Sequence, residues 1–206
     1  MTVLADCFYN LDEMYSYIET YAAQNDLRQT LAALAFAKAK HAGQTRKGKE
    51  KIPYIYHPLL VTGHAIALGI GDDNMLSAAL LHDVVEDCDV SLDELPVNDA
   101  TKLAVMLVTK TDCYYRSGCM GAAEYYSALS ENDIAIMVKL LDRCNNVAGM
   151  AAAFSKEKMM SYVNDTEVWI YPLFEKARTS WPKYEHPIFL LEYQMKSTIE
   201  SLKRVL

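Results

Sequence analysis

Four ionisable side chains interrupt an otherwise apolar stretch of the sequence. Residues 78–87 read Ala-Ala-Leu-Leu-His-Asp-Val-Val-Glu-Asp, and the ionisable ones are His82, Asp83, Glu86 and Asp87. Residues three or four apart are neighbours on a helix, so we expect these side chains to form one patch. Carboxylates four residues apart repel by about 0.2–0.5 kcal/mol, and a low dielectric strengthens the repulsion. A divalent cation would relieve it, although a helix cap or a solvated helix end would explain either pair alone.

Two further ionisable residues, His57 and Asp142, lie in apolar surroundings elsewhere in the chain. Together with the His-Asp doublet they would supply two imidazoles and two carboxylates to one metal. Such a nitrogen and oxygen set leaves coordination positions for water and substrate and suits manganese or iron(II), with zinc as an alternative. Taken singly, His57 could cap a helix, and Asp142 could pair with Lys139 or Arg143.

Composition narrows the class of protein. The 206 residues are 51% hydrophobic, which is enough for one sizeable core, and we expect a single domain spanning residues 1–206. A net charge of −7 argues against binding DNA, an RNA polymer or a membrane surface, because such binding needs a basic field. Five cysteines without a Cys-x-x-Cys pair, and an N-terminus without a signal-peptide pattern, predict a cytoplasmic location. Residues 52–71 lack charged side chains, but their prolines and glycines argue against a membrane span.

The apolar periodicity predicts an all-α fold, a helical bundle around a mononuclear metal site. In the first half of the chain, helices are expected at 10–22, at 27–42, from His57 and from Asp72 through His82. A capping box at Ser91 and a cap at Asn98 precede an expected helix at 100–108. Further helices are expected at 131–147, from Ser155 through Tyr162 with an adjustment near Pro172, and from Pro187 toward Leu206. Residues 43–56 should form a polar loop, and residues 111–121 should be irregular at first. The core motifs occupy 41–146, and the helices of 155–206 should complete the pocket.

Four ordered motifs resemble the HD-domain hydrolases of the RelA/SpoT family, specifically the small stand-alone alarmone hydrolases. The matching segments are His41-Ala42-Gly43-Gln44-Thr45-Arg46-Lys47, Pro53-Tyr54-Ile55-Tyr56-His57-Pro58, Ala79-Leu80-Leu81-His82-Asp83-Val84-Val85-Glu86-Asp87 and Val138-Lys139-Leu140-Leu141-Asp142-Arg143-Cys144-Asn145-Asn146. The chain departs from the family where Cys88 replaces a common threonine and Cys144-Asn145 replace leucine and histidine. Neither departure removes a proposed ligand.

The resemblance implies a metal-dependent, usually manganese-dependent, 3′-pyrophosphohydrolase. Its substrates would be guanosine tetraphosphate and pentaphosphate ((p)ppGpp), with the adenosine analogues ((p)ppApp) as an open alternative. The metal ligands would be His57, His82, Asp83 and Asp142. Glu86 and Asp87 would be the catalytic acidic pair, with Glu86 the first choice for proton transfer. The chain ends soon after the HD region, so we expect a hydrolase without the synthetase and regulatory domains of long relatives.

The resemblance also implies a set of residues that contact the substrate. Arg46 would stack on the purine, Lys47 would contact phosphate and Asn146 would contact the nucleoside, while Lys158 and Tyr162 share a helix face that would reach the substrate. A guanidinium plane suits stacking on a base. Tyr162 could instead pack in the core. The basic side chains of 38–51 would attract a polyanion, although a solvated basic loop is the commoner use of such a run.

Two other functions stay open from the sequence. Another HD-superfamily nucleotide phosphohydrolase would share the four ligands but would not need the Glu86-Asp87 pair or the Arg46-Lys47 loop. A metal-stabilised binding module, such as an antitoxin, would act by contact and would need no acidic pair. The sequence leaves the oligomeric state open as well, and a homodimer is one expectation because relatives often pair.

Overall fold

The structure is a computed structural model, and it describes residues 10–46, 51–111, 114–115 and 118–206. Within these residues no β-strand occurs, and helices account for almost all of the regular structure. The all-α prediction is therefore confirmed. Among the described residues, no helix combines the length and the apolar character that crossing a membrane requires. The single-domain assignment stays a prediction.

Eleven α-helices are described, and we number them in chain order. They are α1 (Leu11–Gln24), α2 (Arg28–Lys40), α3 (Tyr56–Ala67), α4 (Asp73–Leu81), α5 (Val84–Asp87), α6 (Asp99–Val108), α7 (Cys119–Leu129), α8 (Asp133–Ala153), α9 (Lys156–Asp165), α10 (Tyr171–Ser180) and α11 (Glu185–Lys203).

Side-chain caps fix several helix starts where the sequence predicts them. Asp72 and Asn98 accept backbone hydrogen bonds at the N-termini of α4 and α6. Ser91 and Glu94 form the predicted capping box, which begins a short 3₁₀ turn at Leu92–Glu94. These side chains satisfy N–H groups that a helix terminus leaves unpaired. The helix of 131–147 is longer than predicted, since α8 begins after Asn132 and continues to Ala153.

Helices α4 and α8 form the centre of the molecule. Every residue of α4 from Met75 to Leu81 is buried, and α8 buries a continuous run from Ile134 to Cys144. Helix α4 packs against α2, α3, α6 and α8, so apolar residues surround it on all sides. His82 stands directly after the last residue of α4, so the end of this apolar helix places an imidazole in the core.

The helix predicted from Asp72 through His82 ends one residue earlier, at Leu81, and the expected helix-face patch of residues 82–87 is wrong, because the chain makes a turn at His82 and Asp83. Helix α4 ends at Leu81, and Asp83, with ψ −7°, is the N-cap of the one-turn helix α5. Adjacent side chains on a regular helix diverge by about 100°, which would separate the imidazole from the carboxylate. The turn instead brings His82 Nε2 within 3.1 Å of Asp83 Oδ2. The local geometry of the ionisable cluster therefore replaces the expected helical register.

The loop before α3 is fastened by backbone hydrogen bonds. Thr45 and Pro53 form an isolated antiparallel bridge, beside which Arg46 N donates to Ile52 O at 2.9 Å and Tyr54 N donates to Gln44 O at 2.9 Å. This bridge holds both sides of the loop next to the start of α3. The predicted phosphate contact Lys47 lies between them, outside the described residues.

The helix changes form just before Pro172, where the sequence predicts an adjustment. Helix α9 begins after the Ser155 cap, and a π-helical segment at Thr166–Ile170 joins it to α10. A π segment widens the helix and commonly marks a functional site. The final helix begins at Glu185, two residues before Pro187, where proline is tolerated in the first turn.

Candidate metal centre and active site

Four side chains from three separate parts of the chain converge on one point in the core. His57 comes from the first turn of α3, His82 and Asp83 from the turn after α4, and Asp142 from the middle of α8. The two imidazole Nε2 atoms are 3.3 Å apart. Asp142 Oδ1 lies 3.1 Å from His57 Nε2 and 3.7 Å from His82 Nε2, and Asp83 Oδ2 lies 3.1 Å from His82 Nε2 and 3.6 Å from His57 Nε2. The structure thus brings together all four residues that the sequence predicts as ligands.

The donor set fits a divalent cation. Ligand atoms of His57, His82 and Asp83 all lie within 4.8 Å of one another. His82 Nδ1 lies 2.8 Å from the carbonyl oxygen of Ala79 and donates to it, because a carbonyl can only accept. That hydrogen bond orients the ring so that Nε2 faces the other three side chains, which is the usual arrangement of a metal-binding histidine.

The charges of the cluster perturb its titration. Burial disfavours charge on every member, and it lowers the pKa of His57. Burial would also lower the pKa of His82, but the Asp83 and Asp142 carboxylates raise it well above its ordinary value. Burial would raise the pKa of both carboxyl groups, but His82 holds that of Asp83 below its ordinary value, and Lys139 does the same for Asp142. Both carboxylates are therefore ionised and available to a cation.

Asp142 is held from two sides. Lys139 Nζ donates to Asp142 Oδ2 at 3.1 Å, and the two side chains are only 9% and 10% exposed. Asn146 Nδ2 donates to the other oxygen, Oδ1, at 2.5 Å. The sequence allows a Lys139 salt bridge as an alternative to a ligand role for Asp142, and the structure shows that one carboxylate oxygen serves the salt bridge while the other faces the imidazoles.

Asp83 is held by a residue that sequence reasoning did not select. The Tyr54 hydroxyl donates to Asp83 Oδ2 at 2.7 Å. Burial and the neighbouring Asp83 and Asp87 carboxylates raise the pKa of Tyr54, so the hydroxyl stays protonated and acts as a donor. The only signal in the sequence is the position of Tyr54 three residues before His57, which by itself does not distinguish a functional tyrosine from a core one.

The predicted acidic pair lies at the exposed end of the cluster, but its two members face different partners. Glu86 Oε2 accepts from the Lys110 backbone N–H at 3.0 Å, and Glu86 Oε1 accepts from the Tyr115 hydroxyl at 3.0 Å. The main-chain oxygen of Asp87 accepts a hydrogen bond from Gln44 Nε2 at 3.1 Å. The four ionisable residues of the motif therefore do not form one helix-face patch, since Glu86 is attached to the segment after α6 and Asp87 to the loop before α3.

Two of the predicted substrate contacts meet beside Asp142. Arg46 Nη2 donates to Asn146 Oδ1 at 3.0 Å, although the two residues are 100 positions apart. Because Asn146 also donates to Asp142, its amide joins the Arg46 loop to the four candidate metal ligands.

The other predicted substrate contacts lie on α9. Lys158 Nζ is 3.8 Å from the centre of the Phe154 ring, and the Tyr162 ring packs edge-on against Phe154. The guanidinium of buried Arg143 covers the Tyr162 ring at 4.1 Å. Lys158 and Tyr162 thus share a helix face, as predicted, and within the described residues neither side chain hydrogen-bonds to any of the four candidate ligands.

Comparison with known proteins agrees with this geometry. A family model described as the HD domain matches residues 33–113, which include His57 and the His82-Asp83 doublet. Residues 33–113 are therefore similar to an HD domain, and the predicted resemblance of the chain to the RelA/SpoT-family hydrolases is confirmed by the relatives described next.

A probable guanosine-3′,5′-bis(diphosphate) 3′-pyrophosphohydrolase from Synechocystis is 34% identical over 180 residues, which are 82% of this chain and 23% of that protein. Human guanosine-3′,5′-bis(diphosphate) 3′-pyrophosphohydrolase MESH1 is 40% identical over 92 residues, which are 43% of this chain and 50% of that protein. The chain thus spans from about a quarter to half of the length of these relatives.

A solved structure supports the fold assignment. It is described as a metazoan ortholog of SpoT that hydrolyzes ppGpp and plays a role in starvation responses. The similarity has a TM-score of 0.65 and 24% identity, and it covers 84% of this chain and 94% of that one. At this level of identity the match establishes the helical fold.

Proposed function

We propose that this protein is a metal-dependent 3′-pyrophosphohydrolase of purine alarmones, with (p)ppGpp as the principal substrate. The observation that carries the proposal is the convergence of His57, His82, Asp83 and Asp142 on one point, with a paired acidic motif at its exposed end. The names of the Synechocystis and human relatives support the same activity and substrate.

The proposed reaction uses one water for each alarmone. The water oxygen bonds to the phosphorus attached to the ribose 3′ oxygen, the bond from that phosphorus to the 3′ oxygen breaks, and the 3′ oxygen gains a proton. The products are pyrophosphate and GDP, or GTP from the pentaphosphate. A divalent cation bound by the four ligands would lower the pKa of a water and offset the charge of the phosphoryl group.

The acidic pair carries the proton transfers in this proposal. Glu86 takes the proton of the attacking water, and Asp87 orients that water. Both side chains are exposed at the end of the cluster where a substrate could approach. The two hydrogen bonds from Lys110 and Tyr115 hold the Glu86 carboxylate in one orientation, which favours proton transfer over a defined path.

Substrate recognition is assigned to the Arg46 loop and α9. Arg46, fixed by Asn146, presents a planar cation for stacking on the purine. Lys47 contacts phosphate, and Lys158 and Tyr162 approach the substrate from α9. Stacking does not distinguish guanine from adenine, so (p)ppApp is a second candidate substrate for the same site.

We assign manganese to the site, with iron(II) and zinc as the competing ions. Two neutral imidazoles and two carboxylates form a mixed set that manganese accepts readily. We also assign the protein to the reducing cytoplasm, a proposal supported by Cys88 and Cys144, which are free thiols.

The test is to incubate purified protein with Mn²⁺ and either ppGpp or ppApp and to separate the nucleotide products by ion-exchange chromatography. The proposal predicts equal amounts of GDP and pyrophosphate from ppGpp, and loss of both with Glu86→Ala. Release from ppApp alone would reassign the base. A protein that binds Mn²⁺ but releases pyrophosphate from neither would contradict the proposal and favour the non-catalytic binding module.

A further inference from the structure

Tyr54 lies beside the four candidate metal ligands. Its hydroxyl donates to Asp83 Oδ2 at 2.7 Å. Its ring stacks on buried His41 with the ring centres 4.7 Å apart, and it meets the edge of the His57 ring at 6.3 Å. The tyrosine thus contacts two of the four candidate ligands.

The oxygen that Tyr54 binds is the one that matters for coordination. Asp83 Oδ2 is also the atom that lies 3.1 Å from His82 Nε2 and 3.6 Å from His57 Nε2. A carboxylate on a side chain can rotate and offer either oxygen to a cation. A hydrogen bond to one oxygen from a rigid phenol selects the orientation in which Oδ2 faces the imidazoles.

The surroundings of Tyr54 also hold Asp87 in place. His41, on which the ring stacks, donates from Nδ1 to Gln44 Oε1 at 2.8 Å. Gln44 Nε2 in turn donates to the main-chain oxygen of Asp87 at 3.1 Å. The Asp87 main chain is therefore attached to the same unit of His41, Gln44 and Tyr54.

We propose that Tyr54 is a positioning residue whose hydroxyl fixes the Asp83 oxygen that faces the two imidazoles. The inference rests on the proposed function for its effect on turnover, whereas its effect on Asp83 concerns cation binding alone. The ring supplies packing against His41, and the hydroxyl supplies the positioning.

Two variants separate these contributions. Tyr54→Phe removes the hydroxyl and keeps the ring, whereas Tyr54→Leu removes both. Tyr184→Phe is the matched control, because Tyr184 is buried in the turn before α11 and its ring contacts Lys183. For each variant, circular dichroism checks the fold, calorimetric titration with Mn²⁺ gives the affinity, and ppGpp turnover gives kcat and KM.

The proposal predicts that Tyr54→Phe weakens Mn²⁺ binding about tenfold and lowers kcat by about 10–100-fold, with KM within about twofold, as expected for loss of a group that orients a ligand. Tyr184→Phe should change none of these by more than about twofold. Wild-type Mn²⁺ affinity in Tyr54→Phe, with losses only in Tyr54→Leu, would show that Tyr54 acts by packing and would overturn the proposal. Since Mn²⁺ affinity needs no substrate, this result is independent of whether ppGpp is hydrolysed.

Discussion

The two carboxylates of the candidate metal centre are supported in different ways. Asp142 lies on the long helix α8, with a side chain 10% exposed, and pairs with the buried cation Lys139. Asp83 lies in a turn, with a side chain 20% exposed, and accepts a hydrogen bond from the neutral hydroxyl of Tyr54. Asp142 therefore has a charged partner in Lys139, whereas Asp83 has the neutral hydroxyl of Tyr54 and the imidazoles.

Because of this difference, we expect substitutions at the two carboxylates to have different effects on folding stability and on cation binding. A buried charge pair is costly to break, because the remaining charge cannot regain its hydration, so Asp142 and Lys139 should contribute to folding even without metal. A neutral donor leaves no buried charge when it is lost, so Asp83 and Tyr54 should affect mainly the cation and the chemistry. The two sides of one centre should therefore respond differently to the same kind of substitution.

The largest effects are expected from removing either carboxylate. Asp142→Ala and Asp83→Ala should each abolish Mn²⁺ binding and ppGpp turnover, because each removes a ligand. In EDTA, Asp142→Ala should also lower the free energy of unfolding by about 3–5 kcal/mol, because it leaves Lys139 buried and unpaired, and Asp83→Ala should cost clearly less. Urea denaturation measures this difference, and equal losses would contradict the comparison.

Glu86→Ala should reduce turnover by about 10²–10⁴-fold, the range for loss of a general base, while Mn²⁺ affinity stays within about threefold of wild type. Glu86 makes its two hydrogen bonds to Lys110 and Tyr115, away from the four ligands. Kinetics and calorimetric titration on the same preparation test both parts. Parallel loss of affinity and turnover would place Glu86 among the ligands instead.

Lys139→Met should destabilise the metal-free protein by about 3–5 kcal/mol, since it leaves the Asp142 carboxylate without its cation. The control is Lys176→Met, which breaks an exposed pair with Glu131 and should cost at most about 1 kcal/mol. The double variant Lys139→Met/Asp142→Ala should lose less than the sum of the single variants, because no buried charge is left alone. Additive losses in urea denaturation would exclude a coupled pair.

The smallest effect is expected at the amide that joins Asp142 to the Arg46 loop. Asn146→Ala should raise the KM for ppGpp about tenfold, which corresponds to about 1.4 kcal/mol of lost binding. Asn145→Ala is the neighbouring control, since Asn145 donates to Leu141 O and contacts His64 instead. Steady-state kinetics should show an unchanged KM for that control. An equal rise in both variants would mean that the effect comes from the helix and not from the Arg46 contact.

Much of the fold follows from local sequence signals. The caps at Asp72 and Asn98 and the buried apolar run of α4 are encoded within a few residues, so periodicity and capping rules predict them. The four ligands could be selected because each is an ionisable residue in an apolar segment.

The features that sequence reasoning missed depend on contacts between distant segments. The turn at His82 replaces a regular helix because the ligand cluster requires a geometry that helix periodicity does not provide. The role of Tyr54 depends on a contact 29 residues away, and Glu86 is oriented by Lys110, 24 residues away. Glu86 itself is selected from the sequence, but no local pattern predicts either of these two contacts.

The most direct test of the whole account is pyrophosphate release from ppGpp as a function of the Mn²⁺ bound by initially metal-free protein. The account predicts that the rate rises in proportion to occupancy, saturates at about one ion per chain as a mononuclear site requires, and stays at background in Asp142→Ala. Undiminished hydrolysis by the metal-free protein, or saturation with Mn²⁺ without any release, would contradict it.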